Sequence, residues 1–123
     1  MKKHRSPLAE AYFHFLLLAK ALQKETPEAL AMDANERALL DAVALCWFEG
    51  HPQTVRQAIA MEHLGSPATL HKRITRLRQK DMLVAQNQEG DRRAKYLVPS
   101  DKTLKLFSAL GGHMHSVQQP LAA

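Results

Sequence analysis

The 123-residue chain has a single cysteine, Cys46. No disulfide can form within it, and a reducing cytoplasm is the expected location. It also lacks a long apolar run. The N-terminal stretch MKKHRSPLAEAYFHFLLLAKAL superficially resembles a signal peptide, but Glu10, His14 and Lys20 interrupt it. Its longest apolar run, Phe15 to Ala19, is too short for a signal core and far short of a membrane span. Catalytic patterns are missing as well: there is no Gly-rich phosphate loop, no nucleophile elbow, no H-E-x-x-H and no pair of carboxylates on one helical face. His113-x-His115 does not have helical metal-ligand spacing, and no Cys or acid cluster accompanies it. The expectation is a non-enzymatic protein without metal or cofactor.

The chain length corresponds to one domain, which buries only about two-thirds of the surface its unfolded form exposes. Its composition, 46% apolar and 24% charged, is that of an ordinary globular protein. The net charge of +5 is unevenly placed. Of the 17 Lys/Arg and 12 Asp/Glu, eight cations (Lys72, Arg73, Arg76, Arg78, Lys80, Arg92, Arg93, Lys95) and three acids (Asp81, Glu89, Asp91) fall within residues 66–95. The whole excess lies in that quarter, and the remainder is neutral. A clustered basic face suits a polyanion, nucleic acid being the commonest, although a solvated cationic surface produces the same count.

Periodicity and turn chemistry divide the chain into helices and one hairpin. Leu8, Tyr12, Phe15, Ala19 and Leu22 predict a helix over 8–24, with Phe13, Leu16 and Leu17 widening its apolar face beyond what one neighbouring helix requires. Thr26-Pro27 stops it. Asp33-Ala-Asn-Glu36 has capping-box form and starts a second helix to Phe48, with Leu40, Val43, Ala44 and Trp47 inward. Thr54-Val-Arg-Gln57 is another capping box, predicting a helix to about His63. After the corner Leu64-Gly65-Ser66-Pro67 comes a helix to about Lys80, its buried face built on Leu70, Ile74 and Leu77. Two helices joined by so short a turn form a helix-turn-helix. Met82–Gln88 and Lys95–Val98 then predict a hairpin, with Glu89-Gly90-Asp91 as the turn and Arg92 and Arg93 at or near its tip. Asp101 opens a last helix to about residue 118, striped by Leu104, Phe107, Leu110, Met114 and Val117 and interrupted by Gly111-Gly112.

The side of the fourth helix opposite its apolar anchor carries Ala68, Lys72, Thr75, Arg76 and Gln79, with Thr69 and His71 on the shoulders and no acid before Asp81. Cations serve phosphates and guanine edges, amides read adenine, and Thr and Ala methyls touch thymine. In a helix-turn-helix the N-terminal residues of the second helix meet base edges, the position held here by Ser66, Ala68, Thr69, His71 and Lys72. His71 suits a base contact, a phosphate contact or a merely solvated shoulder.

This order of elements resembles the MarR (multiple antibiotic resistance regulator) family of winged-helix transcription factors, over "MDANERALLDAV" to "DRRAKYLVPSD", residues 32–101. "SPATLHKRITRLRQKDMLV" is similar to the family's recognition helix and the strand after it, and Asp91-Arg92-Arg93 to its D-x-R wing signature. The resemblance implies a mainly α fold with a small β-hairpin, a winged helix-turn-helix flanked by N- and C-terminal dimerisation helices (1–31 and 101–119) around a DNA-binding lobe (32–100). It implies minor-groove insertion of Arg93 with Arg92 beside it, a bracing role for Asp91, and recognition-helix contacts from Ser66, Ala68, Thr69, His71, Lys72 and Arg76. Asp81 stands where a glycine is usual, and Val98-Pro99-Ser100-Asp101 replaces the customary Leu-Thr.

The expected function is a DNA-binding regulator, a repressor, reading a pseudo-palindromic operator in double-stranded DNA as a homodimer, with a small-molecule effector or oxidant as a further partner. The alternative is a winged helix used as a protein-interaction module, its basic face meeting an acidic partner. Cys46, beside Trp47 in a helix, reads as a small hydrophobe, with redox sensing as the other option. His14 reads as a hydrogen-bonded interior or interface histidine, or as a lining residue of an effector cavity.

Overall fold

The structure, a computed structural model, describes residues 6–25, 31–88 and 90–118. Its elements are α1 (Pro7–Glu25), α2 (Ala34–Phe48), α3 (Val55–Ala58), a 3-10 turn (Glu62–Leu64), α4 (Pro67–Gln79), β1 (Leu83–Gln88), β2 (Asp91–Pro99) and α5 (Asp101–Gln118). The expected stop at Thr26-Pro27, Glu89 of the hairpin turn and the tail beyond Gln118 lie outside the described residues. The chain divides into two compact units, residues 32–104 and residues 1–31 with 105–123.

Within residues 32–104 the helix starts follow the capping chemistry. The Asp33 carboxylate accepts from the Glu36 backbone N–H at 2.7 Å while the Glu36 carboxylate accepts from the Asp33 N–H, the full reciprocal box. That hydrogen bond to the Glu36 amide holds the Asp33 carboxyl below its usual range. Thr54 and Gln57 repeat the box at α3. Three expectations need correction here. The helix opened by Thr54 ends at Ala58 instead of His63, and a 3-10 turn resumes at Glu62. Trp47, expected inward, is exposed at 37%; the inner face of α2 is Leu39, Leu40, Val43 and Ala44. The second strand starts at Asp91, four residues before the expected Lys95.

The core of this unit joins those α2 residues to Ala58, to Leu70, Ile74 and Leu77 of α4, and to Met82, Leu83 and Leu97 of the hairpin. Truncating any of these leucines to alanine costs about 2–5 kcal/mol. β1 and β2 pair antiparallel, with Leu83 opposite Pro99 and Asn87 opposite Lys95. The Leu97 N–H donates to the Gln53 carbonyl at 2.7 Å, which stitches the hairpin to the loop before α3. Ser100 caps α5, its hydroxyl donating to the Asp81 carbonyl at 2.6 Å and accepting from the Thr103 N–H; the Thr103 hydroxyl in turn donates to the Met82 carbonyl.

In the other unit, α1 covers Pro7–Glu25 and Leu18 is buried, as are Leu106 and Leu110 of α5. The rest of the described apolar stripe of α1 faces outward: Leu8 is 86% exposed, and Tyr12, Phe13, Phe15 and Leu17 each more than half. Tyr12 and Phe15 stack with ring centroids 6.1 Å apart. His14 is exposed within the chain, so of the placements expected for it the interior one does not hold. α5 runs through Gly111-Gly112 without a break. Among the described residues no helix is long and apolar enough to cross a membrane.

Candidate nucleic-acid interface

Helix α4 is set at both ends by local chemistry. Gly65, at φ 147°, turns the chain into it. The backbone there calls for glycine; a Cβ would meet Arg73 Nη1 at 3.3 Å, a slightly tight approach to the end of a side chain, and Leu70 Cδ2 at 3.4 Å, an ordinary contact. Ser66 is the N-cap: its hydroxyl oxygen accepts from the Thr69 N–H at 3.3 Å and its O–H donates to Thr69 Oγ1 at 2.9 Å. Pro67 occupies the first turn, where a missing N–H costs nothing.

At the C-terminus the Met82 N–H donates to the Leu77 carbonyl at 2.8 Å and the Asp81 N–H to the Arg78 carbonyl at 3.1 Å. This pair is a Schellman motif, closed by the buried side chains of Leu77 and Met82. Its pivot, Asp81, has φ 59°. The aspartate therefore adopts the left-handed conformation that glycine takes most readily, and the turn is made without one.

Two of the five cations on and just after this helix are consumed by the fold. Arg73 Nη1 donates to the Leu64 carbonyl at 3.0 Å, clamping the corner of the helix-turn-helix. Lys80 Nζ lies 3.0 and 2.9 Å from the two carboxylate oxygens of Glu36, which is only 3% exposed. Lys72, Arg76 and Arg78 are exposed, and their side chains donate to no described residue. Lys72 and Arg76, with Ala68, His71, Thr75 and Gln79, also exposed, form one outward surface, and Arg78 lies beside it; Thr69 is half-buried at its edge. The Thr75 hydroxyl donates back to the His71 carbonyl at 2.9 Å. The sequence-derived set Ser66, Ala68, Thr69, His71, Lys72 and Arg76 thus lies along one side of α4 and its N-cap.

The wing differs from a simple tip. Pairing jumps from Asn87–Lys95 to Gln88–Asp91, so Arg92, Arg93 and Ala94 form a bulge on β2. Arg92 and Arg93 lie on this bulge, beside the turn at Gly90. Asp91 braces it: its Oδ1 accepts from the Arg93 N–H at 2.9 Å and the Ala94 N–H at 3.3 Å. Asn87 Nδ2 donates to the Ala94 carbonyl at 2.9 Å from the facing strand. Asn87 was not singled out from the sequence; an Asn just before a Gly-containing turn, able to bond a facing backbone, is the signal that marks it. Both wing arginines are exposed, and neither side chain donates to a described residue. No group of three or more metal-binding side chains occurs among the described residues.

No protein-family model matches the sequence, and no curated protein does. Solved structures match well. A MarR-like transcriptional regulator from Thermotoga maritima aligns with TM-score 0.63 at 19% identity, over 93% of this chain and 79% of its own. S. aureus MepR bound to ethidium bromide aligns with TM-score 0.65 at 12% identity, over 91% and 75%. An S. aureus MepR–DNA complex aligns with TM-score 0.59 at 15% identity, over 93% and 87%. The fold is the winged helix of these regulators.

Proposed function

From this MarR-like winged-helix fold, we propose that the chain is a DNA-binding transcriptional regulator that works as a homodimer. The observation that carries the reading is the division of labour among the basic side chains. Arg73 and Lys80 are bound within the fold. Lys72 and Arg76 on α4, and Arg92 and Arg93 on the braced wing, are exposed and without a described partner. The N-terminal half of α4 would enter the major groove, with base-edge contacts from Ser66, Ala68, Thr69, His71 and Lys72. The wing would place Arg93 in the adjacent minor groove, where narrow A·T tracts attract arginine. Arg76 and Arg92 would add phosphate contacts. That a structural neighbour is a MepR–DNA complex supports this choice over an acidic protein partner.

Dimerisation is supported by the exposed apolar stripe of α1, with Leu8, Tyr12, Phe13, Phe15 and Leu17. So large an apolar surface, left in water, marks an interface. In this proposal residues 1–31 and 101–119 are the dimerisation helices and 32–100 the DNA-binding lobe. Two reading heads about 34 Å apart would meet a pseudo-palindrome one DNA turn long. Occupancy of such an operator would repress transcription, and a small effector that changes the spacing of the heads would relieve it.

Fluorescence anisotropy with a labelled generic duplex, titrated with salt, tests the reading. Binding should weaken steeply, with a slope of log K on log salt of about −0.9 per phosphate neutralised. A slope near zero, or no binding at low salt, would favour the acidic protein partner.

A further inference from the structure

A shallow groove of about 460 Å³ lies between the C-terminal half of α4 and the start of β1. Thr75, Arg78 and Gln79 wall it from the helix, and Leu83, Val84 and Ala85 from the strand. All six belong to the same compact unit. No acid lines it, and Arg78 is its one charged group, exposed and donating to no described residue. Arg78 was not among the contact residues expected from the sequence, because it falls beside the outer face of α4 rather than on it.

The groove's position matters. One edge is the helix proposed for the major groove, and the other is the strand that leads to the wing. In duplex DNA adjacent major and minor grooves are divided by a single sugar–phosphate strand. A protein that puts α4 into one groove and its wing into the next must let that strand pass across the surface joining them, and the α4–β1 junction is that surface. The chemistry agrees with this occupant. Val84 and Ala85 give a half-buried apolar floor suited to deoxyribose, while Arg78, Thr75 and Gln79 offer a cation and polar groups suited to phosphate. We propose that this groove seats the DNA backbone strand running between the two reading elements, and that Arg78 pairs with a phosphate of that strand.

The inference rests on the DNA-binding reading, and its test separates the two. Wild type, Arg78→Gln, Arg78→Lys and a charge-matched control, Lys105→Gln on α5, are titrated with salt on two unrelated duplexes. Arg78→Gln should weaken binding about three- to ten-fold equally on both duplexes and lower the salt slope by about 1, as the loss of one phosphate contact requires. Arg78→Lys should keep the slope, and Lys105→Gln should leave it closer to wild type than Arg78→Gln does. Wild type that binds with a steep slope unchanged by Arg78→Gln overturns the groove alone, as does an Arg78→Gln effect confined to one duplex or matched by Lys105→Gln. Wild type without salt-dependent binding overturns the underlying reading. Arg78 is exposed, so thermal melts of the four proteins should coincide; a lower melting temperature for Arg78→Gln would assign the residue to the fold instead.

Discussion

The ammonium of Lys80, just past the end of α4, lies 2.9 and 3.0 Å from the carboxylate oxygens of Glu36, a residue 44 positions earlier in the first turn of α2. The same carboxylate closes the capping box with Asp33, so one buried group fixes the start of one helix and the end of another. Removing the cation would leave Glu36 with an uncompensated charge in the interior. Lys80→Met should cost about 3 kcal/mol in chemical denaturation, the low end for breaking a buried pair because the lysine side is partly exposed. Where the variant is still folded, its salt slope on DNA should match wild type. A slope lowered by about 1, with stability intact, would place Lys80 on the phosphates instead.

The helix-to-strand turn yields a second prediction. Asp81 holds φ 59°, a conformation that costs most L-residues roughly 1–2 kcal/mol and glycine almost nothing. Asp81→Gly should therefore stabilise the protein by about 0.5–1 kcal/mol. Asp81→Val should destabilise it, since a β-branched residue fits that region worst. Thermal denaturation of the pair checks the ordering.

Acid should expose the role of Asp33. Its carboxyl titrates below the ordinary 3.8, chiefly because the charged form accepts from the Glu36 amide. A depressed folded value means that its stabilisation is present above the unfolded value and is lost as pH falls through the folded one. The melting-temperature advantage of wild type over Asp33→Ala should be steady near neutrality and shrink below pH about 4. An advantage that grows on acidification would contradict the assignment.

On the wing, Arg93→Ala should weaken DNA binding about ten-fold or more, in keeping with about 1–3 kcal/mol for a good contact. Asp91→Ala leaves both arginines in place but frees the two N–H groups it holds. It should lose part of that affinity without changing the salt slope. Gel-shift titrations of both variants decide the matter; if Asp91→Ala matched wild type, the brace would have no part in binding.

Much of this arrangement was legible in the sequence because it is local. Asp33, Thr54 and Ser66 announce their helices through bonds three residues long, and Leu70, Ile74 and Leu77 announce a buried face through spacing alone. What escaped depends on partners distant in the chain. Counting charge on α4 treated Lys80 and Arg73 as available, yet each is held by a group that spacing cannot reveal, Glu36 and the Leu64 carbonyl. Trp47 has the periodicity of an inner residue but lies more than a third exposed at the end of α2. The β2 bulge was missed because Arg-Arg-Ala has no alternating pattern, and its bracing by Asp91 and Asn87 appears only once the strands pair.

The central claim is that the acid-free side of α4 and the wing bulge lie together against a duplex. Amide chemical-shift mapping of the labelled protein during titration with double-stranded DNA tests it most directly. The account predicts that the largest shifts fall at Ser66 and Ala68 to Lys72 and at Arg92 to Ala94, while Asp41 to Phe48 of α2 stay in place. Shifts centred on α2, or none in α4 and the wing while binding proceeds, would contradict it.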